Sequence, residues 1–203
     1  MAAPASSPSI LKLKVTLLDL KPPVWRRLLV PETTTLAVLH EVIQAAMGWT
    51  CSHLHQFEID GGHFGDPTML DEVADQARYR LSRLVKDGVR KFTYLYDMGD
   101  RWEHSVVVEG REPAVEGMAY PACVAGKRAC PPEDCGGVWG YQDLLDILAT
   151  PDHPERAERL EWLGHEIDPE AFSVEAADKA LRARFTASGK RRPQRGRWVL
   201  AEG

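Results

Sequence analysis

The chain has 203 residues, 44% hydrophobic and 27% charged, a composition that suits a globular protein with one well-cored domain. No apolar run approaches the roughly 20 residues that span a bilayer, and Met1–Pro8 has neither the basic nor the apolar region of a secretory signal. The expected setting is therefore cytoplasmic, with reduced thiols and no membrane. The net charge of −5 is uneven: five basic residues and one acidic residue fall in 187–203, leaving 20 basic against 29 acidic in the body. Such a body is a poor match for a phosphate backbone, so nucleic acid is a partner only through the basic tail.

Leu11, Leu13, Val15 and Leu17 alternate with Lys12, Lys14 and Thr16, which predicts a half-buried strand over 10–20. Lys21-Pro22-Pro23 turns the chain, and Val24–Val30 reads as the returning strand. Trp25, Arg26 and Arg27 at its start form a candidate polar or stacking patch. Thr35 is placed to cap a helix whose apolar positions are Leu36, Leu39, Ile43 and Met47, with Gly48 placed to end it. A strand over 53–59 follows, closed by Asp60-Gly61-Gly62. Residues 66–87 read as a loop, a short extended piece near 78–80 and a helical turn over 81–86. Residues 91–97 and 101–109 form the clearest hairpin, turned at Met98-Gly99-Asp100.

Residues 120–141 are rich in Pro and Gly and hold three of the four cysteines, Cys123, Cys130 and Cys135; they predict a shaped loop that is neither helix nor strand. Helical segments follow over 141–149, 154–163 (with Gly164 past its end) and 174–185. The expected fold is α+β: a mixed or antiparallel sheet with a β-grasp-like strand-strand-helix-strand start, a later hairpin and C-terminal helices packed on it. Residues 1–9 are expected to be a disordered start, 10–186 a single domain and 187–203 a basic flexible tail.

Several pieces of the body resemble the plasmid pRiA open-reading-frame-three family: Pro23-Val24-Trp25-Arg26-Arg27, Leu39-His40-Glu41-Val42-Ile43, Met47-Gly48-Trp49 and His53-Leu54-His55-Gln56-Phe57. Tyr94–His104, Cys130-Pro131-Pro132-Glu133-Asp134-Cys135-Gly136-Gly137 and Gly140-Tyr141 add to the likeness, which spans roughly 10–186. Met98 stands where the family implies an aromatic residue. The resemblance implies a fold but no settled reaction. Some members are described as resolvase-like passengers of an insertion sequence, yet this body shows neither a nucleophilic Ser among basic residues nor a helix-turn-helix.

Residues two apart on a strand share a face, so His53 and His55 are expected side by side, and His104 beside Trp102 and Val106. Same-face His-x-His can chelate an ion, while histidines at a core edge are the plainer reading. Asp97 and Asp100 flank a glycine turn, where aspartates commonly bond their own backbone, and could also serve as hard ligands or a general base. Cys123, Cys130 and Cys135 with His104, or with Cys51, are candidate zinc ligands; buried reduced thiols and a disulfide are the alternatives. Glu133, Asp134 and Tyr141 are candidate binding residues, and the amides of 136–141 a candidate anion nest. No Walker loop, dinucleotide fingerprint or Gly-x-Ser-x-Gly is present.

Two functions follow. One is a binding or regulatory module with a protein partner, associated with a plasmid or mobile element and held by a Cys/His zinc site or by packing. The other is a metal-dependent hydrolase of the phosphoester class, using His53, His55, His104, Asp97 and Asp100.

Overall fold

The computed structural model describes residues 8–186; the start, 1–7, and the basic tail, 187–203, lie outside the described residues. Strands β1 (Ser9–Leu17) and β2 (Trp25–Pro31) pair antiparallel, and Leu11, Leu13, Val15 and Leu17 are buried as the alternation requires. Helix α1 (Leu36–Met47) has the expected ends: the Thr35 side chain accepts from the Val38 amide at 3.3 Å, and Gly48 closes it at φ +97°.

After α1 come β3 (His55–Ile59), β4 (Gly62–Gly65), β5 (Ala74–Asp75), a 3-10 turn at Gln76–Arg78 and α2 (Leu81–Lys86). The hairpin is β6 (Lys91–Tyr96) and β7 (Trp102–Pro113). Strand β8 (Ala122–Lys127) and helices α3 (Gly137–Ala149), α4 (Arg156–Leu163) and α5 (Val174–Thr186) complete the described chain. The strands form one eight-stranded sheet ordered β5-β4-β3-β6-β7-β1-β2-β8, antiparallel except for the β4–β5 pair. The fold is thus α+β. The β-grasp-like start is not confirmed by the pairing, because β6 and β7 stand between β1 and β3.

Two local expectations change. The third strand begins at His55, not His53: Cys51 takes a left-handed φ of 61° and the Ser52 amide bonds the Tyr96 hydroxyl at 3.0 Å, so the chain is still turning at His53. The Pro- and Gly-rich stretch also contains a strand, since β8 finds the open edge of β2. One main core joins α1 and the inner sheet face to Leu144 of α3 and Ala177 and Leu181 of α5. No helix among the described residues is long and apolar enough to cross a membrane.

Candidate metal centre

Three segments meet beyond the end of the β3–β6 pair: the turn before β3, the β6–β7 turn, and the loop from Cys130 to Gly137. Each supplies one side chain. His53 Nδ1 lies 3.6 Å from Asp97 Oδ2, and His53 Nε2 lies 3.2 Å from Asp134 Oδ1. Ligand atoms of the three residues all fall within 4.8 Å of one another; among the described residues, no other group of three or more His, Cys, Asp or Glu does so. His53 Nε2 has almost no solvent exposure and makes no hydrogen bond of usable geometry, despite its distance to Asp134. A neutral imidazole has one N–H, and its other nitrogen is an acceptor that can ligate a cation. Oxygen and imidazole ligands of this kind suit zinc, manganese and other hard or borderline divalent ions.

Asp97 uses its two oxygens differently, and the turn role foreseen for it is the one observed. Oδ1 accepts from the amides of Gly99 (2.8 Å) and Asp100 (3.3 Å), holding the turn, while Oδ2 faces His53. Asp100 points elsewhere, accepting from the Gly136 amide at 3.1 Å, so that amide is already committed. Asp134 is 69% exposed and forms the open side of the cluster. It also lines a cavity of about 190 Å³ with Cys135, Gly140, Asp143, Leu144, Arg159 and Trp162.

The other two histidines lie apart from His53. His55 stacks on His40, with centroids 3.4 Å apart and an interplanar angle of 2°, and its Nε2 donates to Gln76 Oε1 at 2.9 Å. His104 is fully buried on β7 with its ring edge-on to Trp49. Burial pushes both imidazoles down to about 4, which keeps them neutral. The three-histidine cluster is therefore replaced by His53 alone, because the chain turns before β3 begins.

The Cys123, Cys130, Cys135 and His104 set does not converge either. Cys123 sits on the edge strand β8 with its thiol 3.6 Å from the Ala125 carbonyl, whereas β7, which carries His104, lies in the middle of the sheet. All four cysteines are unpaired. Burial raises the thiols of Cys51, Cys123 and Cys130, and pushes Cys135 up to about 12. Cys51 lies 3.4 Å from the Arg184 guanidinium.

Arg26 and Arg27 point to opposite faces, so Trp25, Arg26 and Arg27 do not make one patch. Arg26 is buried, donating to the carbonyls of Ala46, Trp25 and Lys127, with Phe172 beneath its guanidinium at 4.0 Å. Arg27 makes a bidentate pair with Glu109 at 2.6 and 2.9 Å and lies beside the Trp25 ring. Tyr141 is buried, and burial pushes its phenol up to about 12.

Sequence reasoning missed the groups that surround these residues. Tyr94 OH lies 2.7 Å from His40 Nδ1, in hydrogen-bond contact, and accepts from Gln44 Nε2 at 3.0 Å. The signal was present, because His40 and Gln44 follow Leu36 at intervals of four on the buried face of α1. Nothing local marked Thr50 or Tyr96 as partners of Glu133.

The family model for plasmid pRiA4b ORF-3-like proteins matches residues 9–176. The uncharacterised protein y4hQ of Sinorhizobium fredii (strain NBRC 101917 / NGR234) is 46% identical over 177 residues, 85% of this chain and 91% of that protein. The crystal structure of the protein of unknown function MM3350 from Methanosarcina mazei Go1 is similar with a TM-score of 0.78 and 38% identity, covering 84% of this chain and 98% of that one. With the match covering most of the body, the chain belongs to the plasmid pRiA4b ORF-3-like family.

Proposed function

We propose that this chain is a divalent-cation-dependent hydrolase of the phosphoester class, with His53, Asp97 and Asp134 as the ion ligands. The observation that carries this reading is the His53 ring held between two carboxylates, Asp97 at 3.6 Å from Nδ1 and Asp134 at 3.2 Å from the solvent-shielded Nε2, with one ligand atom of each residue within 4.8 Å of the others. Three protein ligands leave coordination positions for water and substrate, which a structural four-ligand site does not. A bound divalent ion supplies Lewis-acid polarisation of an ester oxygen. This chain's own residues hold the ion and shape its surroundings. Asp97 is fixed by its turn, and Asp134 opens toward the cavity that Arg159, paired with Glu155 at 3.0 Å, also lines; a phosphate oxygen would have to share that guanidinium. Four unpaired cysteines suit a reducing compartment, so the proposed setting is the cytoplasm.

The test is calorimetric titration of the tag-free protein with Mn²⁺, Zn²⁺ and Mg²⁺, followed by a phosphomonoester and phosphodiester screen with the tightest ion. One site per chain, lost in Asp97→Asn, and turnover lost in the same variant are the expected results. A folded protein that takes up none of these ions would overturn the reading.

A second reading, a binding module with a protein partner acting for a plasmid-borne element, is favoured by one observation. Trp139 of α3 is 86% exposed, and large exposed aromatics anchor interfaces. A protein that binds the ion, turns over no ester and loses a defined complex in Trp139→Ala would favour the module.

A further inference from the structure

Asp134 is exposed and carried on a loop, so its single contact with His53 does not by itself fix its place. The explanation lies one residue earlier. The Glu133 carboxylate accepts from the Tyr96 hydroxyl, from Thr50 Oγ1 at 2.6 Å and from the Thr50 amide at 3.1 Å. The Tyr96 hydroxyl in turn accepts from the Ser52 amide at 3.0 Å, and Ser52 Oγ lies 2.5 Å from Thr50 Oγ1. Each of these partners is a close chain neighbour of a proposed ligand: Tyr96 precedes Asp97, Thr50 and Ser52 precede His53, and Glu133 precedes Asp134. One carboxylate therefore ties together the three segments that supply the three ligands. The same loop is held on either side, by Trp49 Nε1 donating to the Pro131 carbonyl at 2.9 Å and by the Gly136 amide donating to Asp100.

We propose that Glu133 is the positioning residue of the ion site: it does not ligate, but its bonds to Tyr96 and Thr50 set the spacing of His53, Asp97 and Asp134. The inference rests on the ion reading above. Outer partners that orient metal ligands typically change affinity about 10–100-fold when removed. A loop anchor with no link to the site would affect thermal stability and leave cation affinity alone.

The experiment compares Mn²⁺ and Zn²⁺ affinity by calorimetry in the full chain and in Glu133→Ala, Glu133→Gln, Tyr96→Phe and Thr50→Val, with the ion-free melting temperature of each. The expected result is a loss of roughly 10–100-fold in Glu133→Ala, a smaller loss in Tyr96→Phe and Thr50→Val, and partial recovery in Glu133→Gln, whose amide oxygen still accepts. Wild-type affinity in a folded Glu133→Ala would overturn the positioning role while leaving the ion site standing. If Glu133→Ala fails to fold, Tyr96→Phe decides by the same criterion. Absence of cation binding in the wild-type chain would overturn both.

Discussion

Gly140→Ala probes how tightly the loop that carries Asp134 is packed. A Cβ built at Gly140 lies 2.0 Å from the Cys135 carbonyl oxygen and 2.9 Å from its carbon, where real Cβ atoms keep at least 3.0 Å. Both sides of the clash are backbone, so no rotamer relieves it, and the loop or the first turn of α3 must move by about 1 Å. Overpacking of this kind costs about 1–3 kcal/mol. For a domain of this size, each kcal/mol lowers Tm by about 2–4 °C, giving an expected fall of roughly 2–12 °C. Because Cys135 follows Asp134, the displacement also moves the exposed carboxylate away from His53, and cation affinity falls with Tm. Gly88→Ala is the control: it meets nothing within 4 Å, but its φ of +98° makes any side chain strained, by about 1–2 kcal/mol, at a turn with no part in the site. Thermal unfolding by circular dichroism and cation titration are measured on both variants. Gly88→Ala should lose Tm alone. If Gly140→Ala keeps wild-type Tm, the close approach of Gly140 to Cys135 is not real; if it loses Tm but not affinity, loop position does not set the ion site.

Two further outcomes follow from buried polar groups. His55 and His104 have folded-state values near 4 against 6.5 in the unfolded chain, so the unfolded state binds more protons between those limits, and stability falls as pH drops from about 6.5 toward 4. The loss is on the order of 3 kcal/mol per histidine, readable by urea unfolding at pH 7, 5.5 and 4.5, and a flat profile would show that the two rings are not buried neutral. Arg26→Lys removes a planar fork that serves three carbonyls and stacks on Phe172, so it should destabilise by about 1–3 kcal/mol in denaturant unfolding; equal stability would contradict the buried guanidinium.

What could be read from the residues was what depends on near neighbours. Thr35 and Gly48 bound α1 because a cap and a left-handed stop act within one turn, and the alternation of Leu11 to Leu17 predicts its buried face because strand geometry is local. The pairing of His53 with His55 failed because strand register starts wherever the preceding turn releases the chain. Here Tyr96, far along the sequence, holds Ser52 in that turn. Strand β8 was invisible for the same reason, since it exists by pairing with β2 and its own composition reads as loop. Asp97 was legible as a turn residue, which its Oδ1 bonds to the Gly99 and Asp100 amides show, while its other oxygen faces His53. Asp134 could be named as a candidate, but its partner could not, because the contact joins segments about 80 residues apart.

The backbone at this junction adds a structural detail to the proposed site. Cys51, Asp97 and Asp134 all adopt left-handed φ values, 61°, 61° and 60°, without being glycine. Each such residue costs on the order of 1–2 kcal/mol relative to an ordinary turn, although Asp tolerates the conformation better than most. One of them at a tight turn needs no special account. Of the eight non-glycine residues with left-handed φ among the described residues, three meet here on separate segments, two of them carrying carboxylates to the same imidazole and the third starting the turn that presents it. Strain of this kind persists where surrounding contacts over-determine the geometry, and the Glu133, Trp49 and Asp100 bonds provide that restraint from three directions. Glycine at 134 would remove a torsional cost and one facing charge together, whereas at 97 it would also lose the Oδ1 bonds that hold the turn. The geometry brings two carboxylates and one ring nitrogen within 4.8 Å of one another, and cation titration of the wild-type chain, with loss of binding in Asp97→Asn, is the measurement that decides whether an ion occupies that space.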